Sequence, residues 1–193
     1  MLTLIILILI SGYIFEAFLD YLNIKNWSLN VPPLVSDVYP EEKYRKAREY
    51  AITNYRFSQI TSLISFLVML ILLITGGFGW LDQYVHSYTS SPVFIALLFF
   101  GVLGIASDLL SMPFEIYKTF VIEEKFGFNK TTVKTFIYDK LKGYLLMIII
   151  GGIVLAALVK TFEFTGHNFW WLAWIFLSVL MLLMTVFYTS WIL

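Results

Sequence analysis

Residues 108–142 read DLLSMPFEIYKTFVIEEKFGFNKTTVKTFIYDKLK, and they hold much of the polar information in a chain that is otherwise nearly all hydrocarbon. The stretch starts inside an apolar run with Asp108 and passes Pro113. It then mixes rings with charge: Phe114, Glu115, Tyr117, Lys118, Phe120, Glu123, Glu124, Lys125, Phe126 and Phe128. A carboxylate inside hydrocarbon costs several kcal/mol unless it faces protein or water, so Asp108 is a candidate functional residue. Pro113 lacks an N–H and disfavours helix just before it, which predicts a kink or break at the membrane edge. Gly127 and Asn129 predict a helix end, with Asn129 capping the helix that follows.

Outward from this stretch the composition is that of a polytopic membrane protein. Hydrophobic residues make up 60%, aromatics 19% and charged residues 13%, with mean hydropathy +0.82. Net charge is zero and the 13 basic residues cluster in loops, so no surface reads as a nucleic-acid footprint. There is no cysteine, which removes disulfides, thiolate zinc sites and cysteine nucleophiles. The first 22 residues have no basic leader region and stay apolar too long for a signal sequence, so they read as a retained span.

Five stretches reach the length needed to cross about 30 Å of hydrocarbon: about 2–22, 58–81, 92–112, 141–159 and 169–193. Isolated strands would leave unpaired backbone in lipid, so the expected fold is an all-α polytopic bundle forming a single transmembrane domain. Six basic residues lie between the first two spans and six more, Lys118 to Lys142, between the third span and the first turn of the fourth, against none and one in the other loops. That bias puts the first and third loops and the carboxyl end in the cytoplasm and the amino terminus outside. Trp27, Trp80, Trp170 and Trp171 fall near span ends, as an interfacial belt requires.

Polar residues inside the spans form two stripes. Tyr13, Glu16 and Asp20 share one face of the first span, although Asp20 also lies close enough to the end to reach headgroup water. Gly101, Gly104, Asp108, Ser111, Glu115 and Lys118 step by three and four along the third. The glycines permit close helix contact, and the charged half suggests a chamber wall. Glu16, Asp20, Asp108, Glu115 and Lys118 are therefore the expected lining of a hydrated intramembrane cavity. From Pro40 onward the first loop becomes an amphipathic helix rich in Tyr, Lys and Arg that runs into span two. Headgroup contact and substrate contact explain it equally in kind.

No catalytic motif appears. The two histidines, His86 and His167, lie about eighty residues apart in sequence on the outer loops, and no His-Glu-x-x-His is present. Glu123 and Glu124 have no histidine nearby to complete a zinc site. The Glu-Glu-x-x-x-Arg pattern that one class of intramembrane proteases uses fails because Phe128 occupies the arginine place.

The run PFEIYKTFVIEEKFGFNKTT, and more loosely VPPLVSDVYPEEKYRKAREYAITNYRFSQI at 31–60, resembles the amino-terminal membrane domain of the type I CAAX prenyl proteases, which are integral-membrane zinc metalloproteases. Pro113, Phe114, Tyr117, Phe120, Glu123, Glu124, Phe126, Gly127, Phe128 and Asn129 carry the likeness. The resemblance implies a chamber wall facing a lipidated or hydrophobic peptide. It also implies zinc in the full-length protein, held by a catalytic helix that follows the fifth span, with two further spans beyond that helix, all expected after residue 193. No cofactor is expected on these 193 residues. A second reading stands beside it: a complete, non-enzymatic membrane protein, transporter-like or a scaffold, whose stripes line a polar path.

Overall fold

The computed structural model describes residues 1–27, 31 and 40–192, with the backbone alone for 187–192. Among the described residues every regular element is helical: α1 (Leu2–Lys25), α2 (Glu41–Ile74), α3 (Gly77–His86), α4 (Pro92–Tyr117), α5 (Glu124–Phe126), α6 (Val133–Leu146), α7 (Gly152–Thr165) and α8 (Phe169–Ile192). Wide-turn π-helical segments at Lys118–Glu123 and Met147–Gly151 join α4 to α5 and α6 to α7. Among the described residues, four helical runs are long and apolar enough to span a membrane: Leu2–Lys25, Glu41–Ile74, Pro92–Phe126 and Val133–Val186. The last, at 54 residues, would be about 80 Å long if straight, far beyond a bilayer. It divides at Gly166, whose φ of 49° starts a short 3-10 turn before α8. Five membrane helices result, as the hydropathy predicts.

The chain forms two compact units: 1–81 with 107–131, and 82–106 with 132–193.

In the first unit α2 runs antiparallel to both of its neighbours. Tyr13 stacks on Phe66 with centroids 4.4 Å apart, and further along Gln59 Nε2 donates to Asp20 Oδ2 at 3.1 Å. Against 107–131, Phe57 stacks on Tyr117 at 5.6 Å, while Tyr50 meets Phe126 and Phe128. In each pairing, positions later on one helix meet earlier positions on the other. Pro40 precedes α2, and Glu41 and Glu42 sit in its first turn, where the positive end of the helix dipole favours them. The amphipathic segment and the second membrane helix are thus one 34-residue helix.

At the central stretch the structure rules out one of the two outcomes expected at Pro113, the break, and corrects the expected cap at Asn129. Pro113 does not break the chain's helix, which continues to Tyr117 and passes into the π-helical turns. A proline deletes a single backbone hydrogen bond, and neighbouring structure in a membrane bundle accommodates that loss. Nor does Asn129 cap α6. Thr132 does, its hydroxyl accepting from the Thr135 amide, while Asn129 Oδ1 accepts from the Thr131 amide.

In the second unit α4 packs against the helix carrying Met147–Ala156. A Cβ built on Gly104 would touch Met147 Sδ at 3.6 Å, and one on Gly152 would touch Leu97 at 3.8 Å. Beyond the span ends, the Tyr84 and Tyr88 hydroxyls lie 2.8 Å apart, and that hydrogen bond holds the Tyr88 phenol above its ordinary pKa.

Candidate functional site

The first unit contains a cleft of about 970 Å³, bounded by the last turns of α1, the middle of α2 and the stretch from Ser111 to Lys118. Its α1 wall is one helical face, with Asp20, Asn23 and Ile24 at steps of three and one, and Trp27 adds to it from just past the helix end. On α2 the wall runs from Ala47 through Tyr50, Asn54 and Ser58 to Ser65, a row of small, hydroxyl and amide side chains. The third wall is Ser111, Phe114, Glu115 and Lys118. Small residues on α2 leave the space open, and carboxylates, hydroxyls and amides line part of an otherwise apolar site. The mixture suits a molecule with a hydrocarbon part and a hydrogen-bonding part.

Of the five sequence candidates, Asp20, Glu115 and Lys118 line this cleft, whereas Glu16 and Asp108 are not among its lining residues. Glu16 is exposed, and three residues before it the stack of Tyr13 on Phe66 closes α1 ring-to-ring onto α2. Asp108 is half-buried and is not without a partner. Lining residues that the charge pattern did not single out, such as Asn54, Ser58 and Ser65, are neutral and sit at ordinary helical positions. Their spacing of four and seven on α2 was the available signal.

The residues carrying the family likeness run from the cleft wall at Phe114 into a joint at 123–129. Gly127 adopts φ 75°, Gly127 N–H donates to the Glu124 carbonyl at 3.0 Å, and Phe128 N–H donates to the Glu123 carbonyl at 2.8 Å. These two bonds are the Schellman closure of a helix end, which needs a left-handed residue at the glycine position. Asn129 Nδ2 donates to Glu124 Oε2 at 2.9 Å, tying the next loop residue back to the helix. Ile122 and Phe126 are buried, and Tyr50 of α2 stands edge-on to Phe126 and Phe128. Lys125 Nζ meets Glu49 Oε1 at 2.9 Å, but both side chains are largely exposed, so the pair contributes at most about 1 kcal/mol. Rings, therefore, and not charges, hold this joint. Tyr117, the last residue of α4, stacks on Phe57, and Phe57 also meets Phe114 at 6.5 Å.

Zinc does not fit here. Among the described residues no three His, Cys, Asp or Glu side chains come together as a metal site. Glu123 and Glu124 belong to the helix end described above, and a zinc ion needs histidine or thiolate ligands that this joint does not offer.

Residues 20–193 match the sequence family described as "CAAX prenyl protease N-terminal, five membrane helices". Over 156 residues the chain is 34% identical to the probable CAAX prenyl protease 1 of Schizosaccharomyces pombe, covering 74% of this chain and 33% of that protein. It is 31% identical over 185 residues to CAAX prenyl protease 1 of Saccharomyces cerevisiae, covering 90% and 41%. The crystal structure of S. mikatae Ste24p aligns with a TM-score of 0.87 at 29% identity, over 99% of this chain and 46% of that one. The chain thus spans less than half the length of these relatives. It is an integral membrane protein that belongs to the CAAX prenyl protease family and corresponds to that family's N-terminal membrane domain.

Proposed function

We propose that these residues supply the substrate-admitting wall of a CAAX-type zinc metalloendopeptidase. The cleft between α1, α2 and 107–118 takes the hydrocarbon and the adjoining backbone of a lipidated or hydrophobic peptide. The observation that supports this most is the cleft itself: about 970 Å³ lined by both apolar groups and hydrogen-bonding groups, beside the aromatic joint that carries the family likeness. Hydrolysis of such a peptide needs zinc, an activated water and a general base. In this reading those groups come from residues outside these 193. The role of Asp20, Glu115 and Lys118 is to bind and orient, not to break the bond. The lysine and arginine distribution favours placing the loops at 23–57 and 113–140 in the cytoplasm, so the joint faces that compartment.

A photo-crosslinking experiment tests this. The chain in nanodiscs is irradiated with a farnesylated peptide carrying a diazirine on its isoprenoid. Expected are crosslinks on cleft residues such as Ala51, Ser65 and Ser111, suppressed by excess unlabelled farnesylated peptide. Uncompeted labelling spread over exposed apolar positions such as Leu7 and Val102 would favour the scaffold reading instead.

A further inference from the structure

The second unit carries a different feature: a groove of about 670 Å³ lined only by apolar residues, between α4 and the helix through Met147–Ala156. The helices approach at Gly104 and Met147 and again at Leu97 and Gly152, where an added Cβ would reach van der Waals contact. Between those contacts a Cβ built on Gly101 would meet nothing within 4 Å among the described residues. Glycine weakens a helix relative to alanine, and close packing inside this unit does not account for it at 101. The π-helical turns of Met147–Gly151 supply part of the opposite wall.

Depth and charge define the occupant. Lys142 and Lys160 bracket 17 residues without a charge, about 26 Å of helix, close to the hydrocarbon thickness. Lys142 therefore stands at headgroup level. Ile149 and Gly152 lie about 10 and 15 Å below it, the depth that one leaflet's chains reach. Water finds no polar side chain on the groove walls, and peptide backbone would be unsatisfied there. Lys142 is exposed, and Leu146, 55% exposed, and Ile149 follow it at i+4 and i+7, so one face leads from the ammonium to the groove.

We infer that this face binds one anionic phospholipid, its phosphate against Lys142 and one acyl chain laid in the groove beside Gly101. The groove volume lies within the ordinary range for small-molecule sites, and the charge complementarity selects an anionic headgroup over a zwitterionic one.

The test uses the chain in nanodiscs of equal phosphatidylglycerol and phosphatidylcholine, released into the gas phase for native mass spectrometry. One retained phospholipid is expected, with the anionic species enriched about fivefold, the effect of one lysine at a charged surface. Lys142→Glu abolishes the enrichment, Lys160→Glu does not, and Gly101→Leu lowers retained lipid to background. Lys142→Glu alters only an exposed position, so it remains informative if the glycine variant does not fold. Retention in bulk proportion, enrichment that survives Lys142→Glu, or a folded Gly101→Leu chain that keeps its lipid would overturn the assignment. Stoichiometric displacement by a farnesylated peptide would assign the groove to an isoprenoid chain, and would overturn it equally.

Discussion

The ring of Tyr50 meets the ring of Phe128 edge-on, with centroids 4.9 Å apart, and Phe126 closes on the same tyrosine at 5.2 Å. Edge-to-face pairs of this kind contribute about 0.5–1.5 kcal/mol each beyond the area they bury. Tyr50→Ala should therefore cost about 1–3 kcal/mol and lower the thermal midpoint of the detergent-solubilised chain, with Tyr50→Phe nearly neutral. Glu49→Gln, which removes only an exposed ion pair, should cost less than about 1 kcal/mol. Equal losses for Tyr50→Ala and Glu49→Gln would show that charge, and not the rings, holds the joint.

Two glycines should respond oppositely to alanine. Gly127 sits at φ 75°, where a Cβ is strained by about 1–2 kcal/mol, so Gly127→Ala should destabilise the chain and Gly127→Asn should do so less. Gly143 lies inside α6 with nothing within 4 Å of a built Cβ, and Gly143→Ala should stabilise by up to about 1 kcal/mol. Urea or thermal unfolding followed by circular dichroism checks both signs.

At the start of α6, Thr132→Ala removes a side-chain cap and should cost about 1 kcal/mol. Asn129→Ala breaks both the contact to Glu124 and the turn at Thr131, loosening the loop ahead of α6 without removing its cap. Amide exchange should separate the two: faster in the first turn of α6 for the threonine variant, faster at 127–131 for the asparagine variant.

These residues also show what the sequence made legible. Hydropathy was sufficient for five membrane helices because hydrocarbon must be covered and backbone must be internally paired whatever the tertiary detail. The helix end at Gly127 was legible because few residues besides glycine tolerate that conformation. The cap was not, since Asn129 and Thr132 are both good capping residues and the backbone path between them decides. The π-helical turns at Lys118–Glu123 and Met147–Gly151 were not read from the sequence. Charge alone brought Asp20, Glu115 and Lys118 into view, but Glu16 shares Asp20's helical face and still does not line the cleft, because how far two helices stay apart depends on partners such as Tyr13 and Phe66.

Orientation can be read directly, since the chain has no native cysteine to remove. A cysteine at Lys130 should resist an impermeant thiol reagent in intact cells, and one at Ser87 should react. The reverse pattern would invert the proposed topology.

The most direct measurement of the central claim is binding of a fluorescent farnesylated peptide to the nanodisc-embedded chain with the cleft open and blocked. Ser111→Trp places a large ring on the cleft wall, and Val186→Trp places one at an exposed position of α8 in the other unit. The proposal predicts saturable binding that Ser111→Trp weakens at least tenfold and Val186→Trp leaves unchanged. Binding that is non-saturable, or that both variants leave untouched, would contradict it.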